Sequence, residues 1–357
     1  AGKGVVVTSD RAAAIAHARA CLDKGAEAQM VIEEFLDGEE VSLFGITDGV
    51  TVIPLQPAQD FKRAGDGDEG PNTGGMGAYS PLPWAPTGLT DDVTARVLQP
   101  MVDAMRHRGT PFSGLLYAGL AMTSRGIRVI EFNARFGDPE TEVIIPLLHG
   151  NGVDIYSMLY ATATSTITDF VMPATLNAAA LTICLAAEGY PDSPVTGETI
   201  AGLGDEYRDV TVFHGGTKID SDGNVVSSGG RVLFVTGLGV NLEAASAAAN
   251  AAIGDAAIHF PGMQYRPDIA HRAAMSGLKC GSLYSLIILI HFVGFPKDLV
   301  AVFRPEQVDA IFREAAPIAV RMIRIASIYV MLEAALVVFS GTLRGAGDTV
   351  WAMCVSV

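Results

Sequence analysis

The chain has 357 residues, of which 49% are hydrophobic and 18% charged, and carries a formal net charge of −15. That length exceeds one ordinary domain and allows a sizeable core, while the acid excess argues against a general nucleic-acid binder and leaves any anionic substrate to be held by local groups. Cys21, Cys184, Cys280 and Cys354 stand far apart with no C-x-x-C pair, which argues against a disulfide scaffold or zinc knuckle and fits a reducing compartment.

The chain opens on Ala1-Gly-Lys-Gly4, with no initiating Met and no signal-peptide pattern, and reads as cut rather than processed. Residues 10–23 predict a helix with Asp10 as N-cap and an alanine-rich body. Residues 30–36 and 41–46 read as strands paired across Asp37-Gly38. Residues 60–83, rich in Gly, Asp and Pro, predict a loop of a length that marks function or disorder. Residues 91–108 predict a second helix, followed by a strand pair, 115–122 and 127–132, around Ser124-Arg125-Gly126.

That second strand runs into Glu131-Phe-Asn-Ala-Arg-Phe-Gly-Asp-Pro-Glu140. Alternating strand residues point to one side, so Glu131 and Asn133 can present two oxygens to one hard cation, and magnesium prefers such oxygens. With Arg135 close by, the set suits phosphoryl transfer; spacing alone leaves a capped strand end equally open. Asp138 and Glu140 read as turn or helix-start residues. The seven histidines form no ligand spacing and read as structural or solvated.

Residues 171–275 are again α/β, with strands expected at 178–187 and 231–238, a turn at Asp220-Ser-Asp-Gly223 and an alanine-rich helix at 242–253. From Ser276 the character changes. There the chain carries 7 Lys/Arg against 6 Asp/Glu, leaving 17 against 33 in the first 275 residues. Residues 280–296 and 325–343 are apolar runs of a length that makes both transmembrane candidates.

Four segments recur in order: Gly2-Lys-Gly4, Val31-Ile-Glu-Glu-Phe-Leu-Asp-Gly-Glu-Glu40, Gln59-Asp-Phe-Lys-Arg63 leading to Pro71-Asn-Thr-Gly-Gly-Met-Gly-Ala-Tyr-Ser-Pro81, and the line from Glu131. Together with Gly215-Gly-Thr-Lys218 and Gly229-Gly-Arg-Val-Leu233, they resemble the phosphoribosylamine–glycine ligase (glycinamide ribonucleotide synthetase) family over residues 1 to about 275. The resemblance implies an α/β (α+β) ATP-grasp fold with ATP between two sheets. It implies an adenine hinge at Glu33, Glu34, Phe35 and Leu36, ribose contact by Glu40, and Lys3 in a phosphate lid. Asn72, Thr73, Gly74, Gly75, Met76 and Gly77 would close over the acceptor beside Lys62 and Arg63. Glu131 and Asn133 would hold Mg2+ or Mn2+, and Arg135 would steady a phosphate or the glycine carboxylate. The implied reaction joins glycine to 5-phosphoribosylamine through glycyl phosphate, in purine synthesis and in the cytoplasm, with no nucleic-acid partner.

The sequence departs from that family in three ways. Family members carry an N-terminal domain, the first ATP-grasp strands and a phosphate-binding lysine ahead of Ala-Gly-Lys-Gly. Phe61 replaces the usual histidine of Gln-Asp-His-Lys-Arg. The tail from about residue 276, with Leu343-Arg-Gly-Ala-Gly-Asp-Thr349, resembles a multidrug and toxin extrusion (MATE-type) transporter fragment. The expected organisation is therefore a partial ATP-grasp domain (1–170), a small α/β C-terminal domain (171–275) and a hydrophobic helical tail (276–357) able to contact a membrane. The reading is an N-terminally truncated ligase in a chimeric chain with weak or absent turnover. The alternatives are an inactive nucleotide-binding remnant and a membrane-anchored transporter fragment.

Overall fold

The computed structural model describes residues 5–23, 25, 27–170, 172–173, 178–269, 290–302, 312 and 314–326. The first element is α1 (Arg11–Leu22), started by Asp10, whose carboxylate accepts from the Ala12 N–H. Such a cap satisfies one of the free donors of a first turn. None of its residues is buried.

Four strands, β1 (Glu39–Thr47), β2 (Val52–Pro54), β7 (Gly114–Thr123) and β8 (Gly126–Asn133), form an antiparallel sheet in the order β2-β1-β7-β8. The expected 115–122/127–132 hairpin is thus present. From Val41 onward β1 is buried on both faces. Val41 and Leu43 pack with Val93, Leu98 and Val102 on one side, while Phe44 and Ile46 pack with Ile144, Leu148 and Met158 on the other. The helix expected at 91–108 lies on the first side as α2 (Leu89–Val93), a π-turn over Thr94–Leu98, and α3 (Gln99–His107). Pro100, which has no N–H to give the ladder, falls just after that irregular turn. The second side is covered by α4 (Thr141–Gly150) and α5 (Ile155–Ala163).

Two local expectations are corrected. Residues 30–36 are not a strand. Both edges of β1 are already taken, one by β7 along its whole length and the other by β2 and the chain after it. There Ser42 and Ala58 exchange N–H···O bonds of 2.8 and 2.9 Å, so a hairpin across Asp37-Gly38 has no free edge. Residues 60–83 are not one long loop either. They contain the end of β3 (Gln59–Asp60), then β4 (Arg63–Gly65), β5 (Glu69–Asn72) and β6 (Gly77–Ser80). β4 and β5 pair with each other, while β6 pairs antiparallel with β9 (Ala179–Ala186), about a hundred positions onward.

β6 and β3 therefore complete a five-stranded sheet, β10-β13-β9-β6-β3, with β10 (Val210–His214) and β13 (Arg231–Gly239). The segments before and after residue 170 share this sheet. β9 is buried throughout, as a strand covered on both faces must be. The alanine-rich α6 (Leu242–Ala251) packs through Ala245 and Ala249. Between β11 (Thr217–Ile219) and β12 (Val225–Ser227), Asp220 accepts from the N–H groups of Asp222 and Asn224, which makes the expected turn.

No helix among the described residues is long and apolar enough to cross a membrane. Residues 296–301 form a short helix and 314–326 are helical. The apolar runs 280–296 and 325–343 lie mostly outside the described residues.

Candidate active site

One face of the four-stranded sheet gathers the polar groups. Glu131 stands opposite Gly119, which stands opposite Ser42; Asn133 stands opposite Tyr117, which stands opposite Phe44. Partners across a ladder share a face and alternate residues return to it, so Glu131, Asn133, Ser42, Tyr117 and Glu40 emerge together. Asn133 Nδ2 donates to Glu131 Oε1 at 3.0 Å. An amide turned about its last bond exchanges nitrogen for oxygen, so the pair can offer a carboxylate and an amide oxygen to one cation. Two protein oxygens suit magnesium, which keeps waters and substrate phosphates for its other positions.

Over this face sits Glu140, only 3% exposed. Its Oε1 accepts from Ser42 Oγ at 2.7 Å and Tyr117 Oη at 2.9 Å. Burial pushes the Tyr117 hydroxyl far above its usual range, and the Glu140 carboxylate adds to the effect. Beside them Lys62 ion-pairs with Glu40. Burial disfavours the Lys62 ammonium, but Asp60, Glu40 and Glu140 outweigh it and hold it charged beyond the ordinary lysine range. Asp60 is pushed up to about 7 by burial and by Glu140, with Lys62 opposing.

The glycine-rich segment is tightly held. Thr73 N–H and Oγ1 both donate to the Lys62 carbonyl, at 2.7 and 2.9 Å, and Thr73 Oγ1 accepts from Gly75 N–H. Gly75 has φ +116°, and a Cβ there would lie 2.4 Å from Pro139 Cδ, so this turn accepts only glycine. Met76 is buried, and Gly77 opens β6. Arg63 stands opposite Asn72 in the β4–β5 pair and donates to the Gly70 carbonyl. From β13, Arg231 pairs with Asp138 at 3.0 Å and donates to Gly74 O at 2.8 Å. Nearby Glu142 Oε2 is buried without a hydrogen-bond partner among the described residues, and burial together with Asp138 pushes that carboxyl up to about 7.

Asp60 and Glu142 thus both have raised folded values. A raised carboxyl contributes stability that is complete below its unfolded value and gone once pH passes the folded one. Melting temperature is accordingly expected to fall as pH rises from about 5 to about 8, as read by scanning fluorimetry; a flat or rising profile would contradict it.

The residues expected from sequence divide. Glu40, Glu131 and Asn133 lie on one face, Lys62 reaches it through its ion pair with Glu40, and Thr73 to Gly77 border it through Lys62. Glu33, Glu34 and Phe35 are exposed on an unpaired segment, with Leu36 half-buried; Arg125 holds Glu34 at 3.3 Å. Arg135 is exposed and donates to the neighbouring Phe136 carbonyl at 2.9 Å; burial raises the nearby Asp138 carboxyl, with Arg231 and, more weakly, Arg135 opposing. Lys3 lies outside the described residues. Phe61 is a core residue, with the Arg266 guanidinium 5.1 Å from its ring centroid. Sequence reasoning passed over Ser42, Asp60, Tyr117, Tyr190 and Arg231. Ser42 and Tyr117 carry no local signal because they meet only through strand pairing; Asp60 and Arg231 stood inside quoted motifs.

Three family models match the chain. Residues 1–141 match "Phosphoribosylglycinamide synthetase, ATP-grasp (A) domain", residues 180–272 match "Phosphoribosylglycinamide synthetase, C domain", and residues 264–357 match MatE. A phosphoribosylamine–glycine ligase of Streptomyces coelicolor is 56% identical over 278 residues, covering 77% of this chain and 64% of that protein. One from Leifsonia xyli is 50% identical over 276 residues, covering 76% and 64%. The chain spans less than two thirds of the length of these curated relatives. The crystal structure of the Thermotoga maritima phosphoribosylamine–glycine ligase superposes with a TM-score of 0.65 at 31% identity, over 75% of this chain and 66% of that one.

Proposed function

The chain belongs, through residues 1–141 and 180–272, to the phosphoribosylglycinamide synthetase family, and on that premise we propose that it joins glycine to 5-phosphoribosylamine at the expense of ATP. The observation that supports this is the shared face of Glu40, Glu131 and Asn133, with Lys62 ion-paired to Glu40, beside the held Thr73–Gly77 turn. A glycine carboxylate oxygen attacks the γ-phosphorus of ATP, the bond to the β,γ-bridging oxygen breaks, and glycyl phosphate and ADP result. The amine of phosphoribosylamine then attacks the acyl carbon, phosphate leaves, and the amine proton passes to solvent.

Each residue has a place in that scheme. Lys62 neutralises charge on the phosphoryl group in transfer, Arg135 steadies a phosphate or the glycine carboxylate, and Arg63 adds charge beside the acceptor. Asn72 to Gly77 enclose the acceptor and exclude water from the acyl phosphate. Glu33 to Leu36 receive the adenine, Glu40 the ribose hydroxyls, and Lys3 a phosphate. Glu131 and Asn133 would hold magnesium or manganese, which when bound supplies positive charge to the phosphates. No protein nucleophile is required. Residues 1–170 and 171–275 serve as the ATP-grasp and C-terminal units of a cytoplasmic ligase body acting on small molecules.

ADP release that depends on both glycine and phosphoribosylamine is the direct test. Glu131→Gln is expected to weaken magnesium-dependent nucleotide binding on the order of tenfold or more, by titration with and without the metal. Binding that ignores both the metal and this substitution would remove the metal assignment. A second reading attaches only to residues 264–357, which match MatE: we infer that this tail contacts a membrane. Release of the whole chain by carbonate extraction of membranes would exclude it.

A further inference from the structure

Arg231 is the only described residue of the five-stranded sheet whose side chain donates to both the glycine turn and the segment that follows β8. Its Nη1 donates to Gly74 O at 2.8 Å, to Asp138 O at 3.0 Å and, at 3.4 Å, to Gly75 O; Nη2 donates to Asp138 Oδ2 at 3.1 Å. The Gly74 N–H donates to Tyr190 Oη at 3.0 Å, and a Cβ on Gly74 would lie 2.8 Å from the Arg231 guanidinium carbon. Phe234, three residues along the same strand and past the register shift between Arg231 and Leu233, supports the guanidinium from 5.3 Å. Both backbone polar groups of Gly74 are therefore taken by side chains that lie more than a hundred positions away.

We propose that Arg231 is a positioning residue of the ligase: it locks the Thr73–Gly77 turn to the Asp138 turn and so fixes the acceptor side of the site relative to Glu131 and Asn133. Two adjacent glycines lose more backbone freedom on ordering than any other pair. Hydrogen bonds from a charged group are about twice as strong as neutral ones, and a planar fork can engage several acceptors where a lysine cannot. This device spans two sheets, so β13 adds its hold to the bonds that Thr73 already makes within the turn. The role rests on the ligase reading, but the lock itself does not.

Hydrogen exchange of the full chain decides it. Arg231→Met is expected to speed exchange of the amides in residues 72–77 on the order of tenfold or more, with unfolding still cooperative and nucleotide affinity within about twofold of the parent. In turnover, KM for phosphoribosylamine rises on the order of tenfold while KM for ATP stays put; Arg231→Lys recovers only part of the loss. Unchanged exchange in residues 72–77 overturns the lock, and faster exchange with an unmoved acceptor KM overturns the positioning role. Should Arg231→Met fail to fold, Tyr190→Phe, which removes only the acceptor of the Gly74 N–H, is read the same way with a smaller acceleration. A parent chain with no turnover defeats the ligase reading, and the exchange experiment still decides the lock.

Discussion

Replacing Arg266 by methionine is expected to lower the unfolding free energy by about 3 kcal/mol, the low end for breaking a buried ion pair from one side. Arg266 is fully buried. It holds Asp68 at 2.7 Å and Asp268 at 2.5 Å, donates to the Arg63 carbonyl, and stacks on Phe61. Methionine keeps most of the volume against Phe61, so the loss isolates the charge. Asp68 is 39% exposed and can turn to water, whereas Asp268, at 18%, cannot do so fully, which is why the low end applies. Urea unfolding at neutral pH measures the loss, and a change under about 0.5 kcal/mol would sink the argument.

The pH dependence gives a second check on the same residue. Burial raises the Asp268 carboxyl, but Arg266 and the Gly67 N–H outweigh it and bring it down to about 2. A lowered carboxyl contributes stability that is present above its unfolded value, near 3.8, and lost as pH falls toward the folded one. The gap between parent and Arg266→Met should therefore narrow between about pH 4 and about pH 2. Adding Asp268→Asn to Arg266→Met should recover part of the loss, because the carboxylate that has lost its guanidinium is then gone.

If the chain acts as the proposed ligase, Lys62→Met is expected to cut its turnover by roughly 10²–10³, the usual effect of removing one donor from a site where charge develops. Lys62 is the cation among Asp60, Glu40 and Glu140. Without it the three carboxylates repel one another, and Asp60, already at about 7, moves higher. Two readouts follow: steady-state ADP release, and a fall of stability with pH that extends further into the alkaline range. Turnover within about threefold of the parent would remove Lys62 from the chemistry.

The helix after Asp10 was legible in the sequence because its cap acts on N–H groups two or three positions away. The β7–β8 hairpin was legible because alternation and a Ser-Arg-Gly turn lie within twenty positions, and the co-location of Glu131 and Asn133 needs only the pleat of one strand. The strand expected at 30–36 failed for a different reason. Its sequence is apolar enough, but whether a strand forms depends on an open edge, and β7 on one side and β2 with residues 55–58 on the other fill both edges of β1. Residues 60–83 failed in the opposite sense: Gly, Asp and Pro mark a loop locally, yet Gly77–Ser80 becomes strand because β9 offers a partner.

Residue types at short fixed spacing were enough to point to the family, to the glycine turn, and to Glu131 and Asn133 on one side of a strand. Folding alone buries Glu140 against Ser42 and Tyr117, ties Lys62 to Glu40, and brings Arg231 and Tyr190 onto Gly74. These contacts join positions from 22 to 157 residues apart. Their formation depends on which strand edges are free and on which carboxylates burial brings together, and neither quantity exists until the chain has closed on itself.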